Sequence, residues 1–479
     1  MSARLHNWIG GRASPASDDR TFNNPNPATG VRIAEVARSG ASDVDAAAAA
    51  AVGAAASWGR TSVAERADLL DAVADAIEAR LDELAALESA DTGKPVWLAR
   101  AVDIPRAVAN FRFFAGAIRH DETGFHPMAD AINYTLRKPI GVVGLITPWN
   151  LPLYLMSWKA APALAMGNAV VAKASELTPM SAGAMAELLT QAGLPDGVFN
   201  LVHGYGPEAG QAILEHPDIK AISFTGGTAT GRIVAATAAP MFKKVSLELG
   251  GKNATVVFAD ADFDAAVDGV VRAGFSNQGQ ICLCGSRLLI ERSIYDRFVA
   301  AVAERVKALK VGDPGDPDVN MGSLVSLAHR EKVEGYLKLA RQEGGTVIGG
   351  GRPALPMPHD VGAFLRPALI TGLAPTCRTA TEEIFGPVVT AHPFDTEAEA
   401  LQIANGVRYG LSSSVWTSDL KRAHRFAAEV EVGIVWVNTW LKRDLRTPFG
   451  GVKASGVGRE GGRWSLDFFS ETRNVCIQL

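Results

Sequence analysis

The chain has 479 residues, of which 47% are hydrophobic and 20% are charged, and its formal net charge is −4. A chain of this length is too long to fold around one compact hydrophobic core, so we predict two or three domains. Acidic and basic residues are interspersed, which excludes the basic patch typical of nucleic-acid binding and the acidic tail typical of disorder.

Cysteine usage and hydropathy bear on the compartment. The cysteines are too few and too irregularly spaced for a disulfide framework or a cysteine-rich zinc site, and they stand at Cys282, Cys284, Cys377 and Cys476. We therefore predict a reducing, cytoplasmic environment and no metal site. Residues 1–22 contain glycines, prolines and charged residues in place of the apolar stretch of a secretory signal. The sequence has no run of about 18 apolar residues, so we predict no membrane span.

The N-terminal part of the chain is predicted to be helical. Alanine, the best helix former, dominates Ser42–Trp58. The next helix begins at Ser62, because Glu65 three residues later completes a capping-box pattern. This helix is predicted to continue to Gly93, because apolar residues recur at steps of three and four along one face. These residues are Leu70, Val73, Ile77, Leu81, Leu84 and Leu87. A third helical stretch is predicted over Val96–Arg119.

Strand-like and helix-like segments alternate from residue 140 onward, which is the pattern of a parallel sheet covered on both faces. The predicted strands are Ile140–Ile146, Ala169–Lys173, Val198–Val202, Ala221–Phe224 and Val245–Leu249. We therefore predict an α/β fold with a Rossmann-like doubly wound domain, which binds its ligand at the carboxyl ends of the strands.

A second alternation of strand-like and helix-like segments, from Thr255 to about Val437, predicts a further α/β domain. Alternating patterns at Asn133–Lys138 and Phe468–Leu479 predict two more strands. The expected domains are residues 1–119 with 140–249, residues 250–450, and residues 120–139 with 451–479.

A polar, glycine-containing turn in the second domain ends in a cysteine. The turn lies within Phe275–Arg287 and places Cys282 directly after Gly279-Gln280-Ile281. A reactive thiolate requires a polar, partly exposed setting of this kind. Most free cysteines are instead small buried hydrophobic residues, so the turn alone leaves both interpretations open.

Six segments in order resemble the signature set of the NAD(P)-dependent aldehyde dehydrogenase superfamily, and they are Thr147–Asn150, Phe224–Gly227, Leu247–Lys252, Gly279–Cys282, Glu382–Pro387 and Phe449–Gly451. Their order and spacing match over nearly the whole chain, which is far more specific than any one motif. The resemblance implies an aldehyde dehydrogenase-like fold: an NAD-binding domain, a catalytic domain and a small β oligomerisation arm. It also implies a homodimer or homotetramer.

The resemblance implies catalytic roles for Cys282, Glu248 and Asn150. The Cys282 thiolate would attack the aldehyde carbon, and loss of hydride from the thiohemiacetal would leave a thioester. Asn150 and the Cys282 amide would stabilise the oxyanion, and Glu248 would activate water for hydrolysis. The alternatives are a turn residue for Asn150 and a salt-bridged carboxylate at a sheet edge for Glu248. Cys284 is interpreted as a bystander thiol.

The cofactor implied by the resemblance is NAD. Lys173 and Glu176 would hold the adenosine ribose, and the Glu176 carboxylate would disfavour the extra phosphate of NADP. The amides at the start of the helix after Gly226 would meet the pyrophosphate. Glu383 would bind the nicotinamide ribose beside Phe385. The predicted cofactor site also includes Thr147, Trp149, Gly206, Phe224 and Gly227.

Two positions depart from the pattern of the superfamily. Ala174 stands where proline is usual, which leaves the loop between Lys173 and Glu176 less rigid. Gly227 stands where serine is common, so one side-chain contact to a phosphate is absent. Both changes affect the expected geometry of cofactor binding more than its chemistry.

Within the superfamily the chain is similar to the 2-hydroxymuconate and 2-aminomuconate 6-semialdehyde dehydrogenases, through Asp103–Arg106, Asn110–Ala115 and Val437–Arg446. That similarity implies that Arg106 and Arg443 hold the substrate's carboxylate. Two alternatives stay open. One is a generic aldehyde dehydrogenase for betaine or short aliphatic aldehydes, with both arginines in salt bridges. The other is a catalytically silent structural relative of the fold.

Overall fold

A computed structural model describes residues 3–479, and its largest sheet has eight strands. Five of them are parallel neighbours, in the spatial order Lys244–Glu248, Ile219–Thr225, Val142–Ile146, Ala169–Lys173 and Phe199–Leu201. Antiparallel strands form the edges, and they are Gly456–Val457 on one side and Asn7–Ile9 with Arg12–Ser14 on the other. All five predicted strands are present, with ends shifted by at most two residues.

This eight-stranded sheet is covered on both faces, because neighbouring side chains along a strand point in opposite directions. Val143 packs in a core cluster with the helix Pro152–Ala165. Val142 packs in a second cluster with the helix Ala41–Trp58. The predicted doubly wound arrangement is therefore confirmed.

A second sheet has seven strands, in the spatial order Thr346–Gly349, Ala368–Thr371, Val388–Phe394, Arg287–Glu291, Ala254–Val257, Ser412–Trp416 and Ile434–Val437. Its neighbours are parallel except for the antiparallel pair at the first edge. Leu288 and Ile290 pack in one core cluster and Leu289 in another. Both faces of this sheet are therefore covered as well, as the second alternation predicted.

Three antiparallel strands form what we call the arm sheet. Ser470–Gln478 pairs along its whole length with Ala131–Pro139, which also pairs with Phe125–Pro127. Both strands predicted from alternating patterns lie in this sheet. Residues 452–453 and 456–457 pair elsewhere, with Tyr409–Gly410 and with the eight-stranded sheet, so the C-terminal segment joins the arm sheet only from Ser470. A separate three-stranded sheet contains Ala3–Leu5, Arg32–Ala37 and Thr21–Pro25.

Helices connect these strands. The α-helices are Ala41–Trp58, Val63–Ala79, Leu81–Thr92, Val96–Leu98, Ile104–Arg119, Pro152–Ala165, Met180–Gln191, Gln211–Glu215, Thr228–Ala238, Phe263–Phe275, Tyr295–Lys307, Leu327–Gln342, Arg378–Thr381, Glu397–Asn405, Leu420–Glu429 and Gly462–Phe468. Among residues 3–479, none of these helices combines the length and the apolar character needed to cross a bilayer.

The predicted capping box at the second helix is present. The Ser62 hydroxyl accepts from the Glu65 amide at 3.2 Å, and the Glu65 carboxylate accepts from the Ser62 amide at 2.7 Å. The helix does not run unbroken to Gly93, because Arg80 leaves the helical conformation with φ −108° and ψ 24°. Ile77 and Leu84 are fully buried on either side of this break, so the predicted apolar stripe is buried along both helices although the helical backbone is interrupted between them.

The predicted helix Val96–Arg119 contains a wide turn. Ala99–Asp103 is π-helical, and the regular α-helix resumes at Ile104. Single π-turns occur frequently at functional sites. Here the turn brings the buried Asp103 carboxylate to 2.6 Å from Lys94 Nζ, a contact that the helical pattern of the sequence does not reveal.

Candidate active site

The turn that carries Cys282 follows the helix Phe263–Phe275 and contains two strained residues. Asn277 and Gln278 have φ values of 50° and 56°, in the left-handed region that side chains rarely adopt. Both side chains are buried and hydrogen-bonded. Asn277 Nδ2 donates to the carbonyl of Asn150 at 3.2 Å, and Gln278 Nε2 donates to that of Ser323 at 2.9 Å. These contacts hold the backbone in a conformation typical of functional sites.

Other segments fix the turn from outside. A Cβ on Gly279, whose φ is +69°, would lie 2.2 Å from the Gly386 carbonyl oxygen, so only glycine permits this approach. Asn253 Nδ2 donates to the Cys282 carbonyl at 2.7 Å. Trp440 Nε1 donates to the Leu283 carbonyl at 2.9 Å. The position of Cys282 is therefore set by contacts from several parts of the chain.

Asn150 lies beside this turn, at the loop between the strand Val142–Ile146 and the helix Pro152–Ala165. Its side chain is buried, and its Nδ2 donates to the Gln280 carbonyl at 2.8 Å. An amide nitrogen carries two hydrogens, and this bond uses one of them. The Cys282 backbone N–H donates to no backbone acceptor within residues 3–479. Two donors therefore remain near the thiol, as an oxyanion site requires.

The Cys282 thiol is partly exposed, and three charged groups act on it. Burial raises the pKa of this thiol above its ordinary value, and the carboxylates of Glu248 and Glu383 raise it further, whereas the Arg443 guanidinium lowers it. The thiol therefore retains its proton in the ligand-free protein near neutral pH, and a base or an additional positive charge is needed to generate the nucleophilic thiolate.

Glu248 ends the strand Lys244–Glu248 and is buried. Both of its carboxylate oxygens lack a hydrogen-bond partner within residues 3–479. A Cβ on Gly450 would lie 2.7 Å from Glu248 Oε1, so a glycine loop covers the carboxylate. Burial raises the pKa of Glu248 well above its usual range, and Glu460 raises it further, while Lys159 opposes the shift. A carboxyl of this kind can take up a proton near neutral pH.

A cavity of about 230 Å³ joins several of the predicted residues, and its lining includes Trp149, Asn150, Gly227, Cys282, Glu383 and Phe385. Glu383 accepts from the Gly251 amide at 2.8 Å. The rings of Trp149 and Phe385 meet edge to face with centroids 5.2 Å apart. The cavity thus places an aromatic wall, a carboxylate and the candidate nucleophile around one space.

The remaining predicted cofactor residues lie at the carboxyl ends of the large sheet. Lys173 is buried, and its ammonium lies 3.4 Å from the half-buried Glu176 carboxylate. The hydroxyl groups of Thr147 and Thr225 are buried without partners in the described chain. Lys173, Glu176, Thr147, Gly206 and Phe224 are not among the residues that line the 230 Å³ cavity.

The residues present fit a dinucleotide. Gly227 is the N-cap of the 11-residue helix Thr228–Ala238, so the unpaired amides of the first helical turn face outward where a pyrophosphate can bind. A Cβ on Gly227 would meet no atom within 4 Å, and the buried, unpartnered hydroxyl of Thr225 precedes it. This open space also accommodates the serine expected at this position from the superfamily pattern.

Arg106 and Arg443 converge beside the aromatic residues of the helix Pro152–Ala165. Arg106 lies over the Tyr154 ring at 5.2 Å and over the Trp158 ring at 5.5 Å. Arg443 lies over the Trp158 ring at 5.1 Å and donates to the Tyr154 hydroxyl at 3.1 Å. The two guanidinium groups repel each other but contact the same aromatic pair, Tyr154 and Trp158, which we call the aromatic cradle. Cation–π attraction to these rings offsets part of the repulsion.

Neither arginine has an ionic partner within residues 3–479. Arg106 donates to Asn110 Oδ1 at 3.1 Å through Nε, and one of its terminal nitrogens is buried without any partner. Burial lowers the pKa of Arg106, and the charge of Arg443 lowers it further. Arg106 is therefore not the exposed salt-bridge residue of the generic alternative. Arg106 is partly buried, and a partly desolvated cation without a counter-ion is unfavourable, so an anionic ligand would be stabilising here.

Several residues of the site were not assigned a role from the sequence. Asn253 and Trp440 hold the turn of Cys282, and His329 and Lys332 line the cavity from the helix Leu327–Gln342. Burial lowers the pKa of His329 to about 4, so this ring is neutral near pH 7. Asn253 directly follows the motif Leu247–Lys252, and Trp440 lies within Val437–Arg446, whereas His329 and Lys332 lie in none of the segments that carry the resemblance.

The chain is similar to known proteins over nearly its whole length. The model of the "Aldehyde dehydrogenase family" matches residues 14–475. The chain is 50% identical to a 2-hydroxymuconic semialdehyde dehydrogenase of Pseudomonas sp. (strain CF600), with 99% of each chain covered. It is 50% identical to a 2-aminomuconic 6-semialdehyde dehydrogenase of Pseudomonas sp., covering 99% of this chain and 98% of the relative.

A solved structure extends the comparison to the fold. The crystal structure of PnpE in complex with nicotinamide adenine dinucleotide superposes with a TM-score of 0.97 at 43% identity, covering 100% of this chain and 98% of that one. The crystal structure of PnpE from Pseudomonas sp. WBC-3 superposes with a TM-score of 0.96.

Proposed function

The chain belongs to the aldehyde dehydrogenase family, and we propose that it oxidises a carboxylated semialdehyde, such as 2-hydroxymuconate or 2-aminomuconate 6-semialdehyde, to the acid. The observation that carries the choice of substrate is the pair Arg106 and Arg443, which share an aromatic cradle without an ionic partner in the described chain. The names of the relatives support the same class of substrate.

The chemical step begins at Cys282. Its thiolate attacks the aldehyde carbon, and the thiohemiacetal that forms carries its charge on oxygen. The free hydrogen of Asn150 Nδ2 and the Cys282 amide are the donors placed to stabilise that charge, since the first lies beside the turn and the second lacks a backbone acceptor within residues 3–479. The neighbouring positive charge of Arg443 favours the thiolate.

Hydrolysis of the thioester requires a base. Glu248 is suited to this step because its two carboxylate oxygens are unpartnered within residues 3–479 and its pKa lies well above the usual range. A carboxylate with a raised pKa accepts a proton from water more readily near neutral pH. The presence of this glutamate favours water over a thiol such as coenzyme A as the acyl acceptor.

NAD supplies the hydride acceptor for this reaction. Lys173 and Glu176 would hold its adenosine ribose, and the helix that begins after Gly227 would hold its pyrophosphate. Glu383 and Phe385 line the 230 Å³ cavity with Cys282, where they would bind the nicotinamide half. The solved relative that contains nicotinamide adenine dinucleotide supports this cofactor.

The carboxylate of the substrate would lie between Arg106 and Arg443. Leu155 lines the cavity that holds Cys282, and its neighbour Tyr154 contacts both guanidinium groups. A planar arginine guanidinium can bind a carboxylate through two parallel charge-assisted hydrogen bonds. An aldehyde carbon at Cys282 and a carboxylate at the arginine pair therefore fit the two ends of one extended molecule.

The assembly and compartment are further proposals. The arm sheet exposes most of its C-terminal strand, Ser470–Gln478, and an exposed strand edge is a ready site for pairing with another chain. We infer a homodimer or homotetramer that uses this sheet. The four cysteines are all unpaired, which supports a reducing compartment such as the cytoplasm.

A panel of aldehydes tests the proposed substrate. Purified protein is supplied with NAD and with aldehydes of similar size, with or without a distal carboxylate, and NADH formation gives kcat/KM for each. We expect the carboxylated semialdehydes to be preferred by at least about tenfold, the ratio expected from one additional charge-assisted hydrogen bond. Equal values for both groups would favour the generic aldehyde dehydrogenase, and no NADH with any aldehyde would favour the silent relative.

A further inference from the structure

Lys94 is fully buried and has no role in the proposed catalytic steps or in cofactor binding. It follows Gly93, which ends the helix Leu81–Thr92 in the left-handed conformation with φ 77°. Its ammonium lies 2.6 Å from Asp103 Oδ2 and 3.8 Å from Glu88 Oε1. The same ammonium donates to the carbonyl oxygen of Asn150 at 3.1 Å. The third contact connects this buried cluster to the proposed oxyanion donor.

The carboxylates around Lys94 are placed by unusual local structure. Asp103 ends the π-turn Ala99–Asp103, and Glu88 Oε2 accepts from the Leu153 amide at 3.4 Å, in the helix that follows Asn150. Burial raises the pKa of Glu88 to about 7, and the charge of Lys94 opposes that shift. One cation therefore faces two carboxyl groups, and the Lys94–Asp103 contact is the short one.

Hydrogen bonds hold both the backbone carbonyl and the side-chain amide of Asn150. Its backbone carbonyl accepts from Lys94 Nζ and from Asn277 Nδ2, at 3.1 Å and 3.2 Å. Its side-chain Nδ2 donates to the Gln280 carbonyl at 2.8 Å. With the carbonyl fixed on one side and the amide on the other, the side chain has little freedom to rotate away from Cys282. Such preorganisation is what makes an oxyanion donor effective.

The segment Gly93-Lys94 also contacts the Cys282 turn. Gln278 Nε2 donates to the Gly93 carbonyl at 3.3 Å. A Cβ on Gly93 would lie 2.0 Å from Ser323 Oγ, so the segment is closely packed against the structure that supports the turn. Lys94 therefore lies between the two elements whose relative position sets the distance from Asn150 to Cys282.

We propose that Lys94 is a positioning residue for the oxidation step. Its ammonium, paired with Asp103, holds the Asn150 carbonyl so that the Asn150 side chain faces the thiohemiacetal oxygen formed at Cys282. This inference rests on the proposed function, because it requires Asn150 to act as an oxyanion donor. Lys94 is not among the residues that line the 230 Å³ cavity, whereas Asn150 is. The ammonium of Lys94 donates to Asp103 and to the Asn150 carbonyl, so its proposed effect on the reaction passes through Asn150.

A double-mutant cycle tests this assignment. The rate of the NADH burst is measured by stopped flow for wild type, Lys94→Met, Asn150→Ala and the double variant, with NAD and the aldehyde that wild type oxidises best. We expect Lys94→Met to slow the burst by about tenfold to a hundredfold, somewhat less than outright loss of a donor. In the Asn150→Ala background the same change should have no further effect, because its target is absent. The KM for NAD should not change.

Two further variants separate positioning from folding. Lys94→Met leaves the Asp103 carboxylate buried without a cation, so Lys94→Met combined with Asp103→Leu is measured in parallel, and the same rate loss is expected. Lys243→Met is the matched control, because Lys243 is another buried lysine that donates to the carbonyls of Leu214 and His216, away from the site. It should leave the burst rate unchanged.

The outcomes distinguish this inference from the proposed function. Independent, multiplicative losses from Lys94→Met and Asn150→Ala would overturn the positioning role, as would a burst at the wild-type rate in Lys94→Met. An equal loss in Lys243→Met would also overturn it, because the effect would then follow from removing any buried lysine. Absence of a burst in wild type with every aldehyde would contradict the proposed function itself.

Discussion

Cys282 and Cys284 lie two residues apart in one turn and differ in their surroundings. Cys282 lines the 230 Å³ cavity, whereas Cys284 is buried with its sulfur 4.0 Å from the Ser276 carbonyl oxygen. We expect Cys282→Ala to abolish NAD reduction, because the group that forms the covalent intermediate is indispensable. Cys284→Ala should retain most of the activity. Steady-state NADH formation measures both, and an inactive Cys284→Ala with an active Cys282→Ala would show that the nucleophile is misassigned.

Glu248 makes the hydrolysis step dependent on pH. Because burial and Glu460 raise the pKa of Glu248, the carboxylate form that accepts a proton is present only above that raised pKa. Hydrolysis should therefore accelerate as pH rises through it and decline as pH falls below it. Glu248→Gln should give a burst of NADH and then stall, with steady-state turnover lower by about a hundredfold or more and no longer following this pH dependence.

Pre-steady-state NADH traces between acidic and alkaline pH measure this effect. A burst of normal amplitude followed by a slow phase in Glu248→Gln supports the role in hydrolysis. If burst and steady state were slowed equally, Glu248 would instead act before or during hydride transfer.

The loop from Arg443 to Gly450 shows how one element serves two parts of the site. Arg443 lies over the Phe449 ring at 4.1 Å, and a Cβ on the next residue, Gly450, would lie 2.7 Å from Glu248 Oε1. Gly450 has a φ of +149°. Gly450→Ala should therefore displace the Glu248 carboxylate and lower steady-state turnover by about a hundredfold, the scale of an ångström-level misplacement.

The control for this substitution is Gly53→Ala, in the helix Ala41–Trp58, where a Cβ would meet no atom within 4 Å. It should keep full activity. Activity and thermal unfolding are measured for both variants. Wild-type turnover in Gly450→Ala would show that the loop does not constrain Glu248.

The elements that sequence reasoning recovered are those with a strong local signal. The five parallel strands and the capping box at Ser62 follow from hydrophobic runs and from one short-range pattern. The left-handed Asn277 and Gln278 were not predictable, because their conformation depends on acceptors more than 40 residues distant, such as the Asn150 and Ser323 carbonyls. The π-turn at Ala99–Asp103 was not predictable either, because the helical pattern of the sequence carries no sign of the contact between Asp103 and Lys94.

The candidate site was only partly accessible from sequence for the same reason. Motif residues such as Cys282 and Glu383 can be predicted from the sequence, and both line the 230 Å³ cavity. Tyr154, which joins the two arginines, lies in no motif that was used. Its importance emerges only when the helix after Asn150 packs against Arg106 and the loop of Arg443.

The arm sheet presents most of its C-terminal strand to solvent. Along Ser470–Gln478 the first residue is buried and most others are exposed, and Ile477 is 44% exposed. Deleting residues 474–479 should leave the root of the strand in place and remove surface for pairing between chains. We expect the mass measured by light scattering to fall to that of a smaller assembly, with secondary structure retained. An unchanged mass would place the interface elsewhere.

One substrate molecule is proposed to reach from Cys282 to Arg106 and Arg443. This proposal is tested by measuring kcat/KM for 2-hydroxymuconate 6-semialdehyde and for an uncharged aldehyde of similar size in wild type, Arg106→Ala and Arg443→Ala. Arg112→Ala is the control, since Arg112 lies on the helix of Arg106 and pairs with Asp75 and Glu78 at the surface.

We expect the loss of either Arg106 or Arg443 to lower kcat/KM for the carboxylated aldehyde by about tenfold to a hundredfold and to leave kcat/KM for the uncharged aldehyde unchanged. Lysine at either position should restore little, because a point charge cannot reproduce the arginine fork. Arg112→Ala should affect neither substrate. A uniform loss on both aldehydes, or no loss on either, would contradict the claim and leave a generic aldehyde dehydrogenase as the better description.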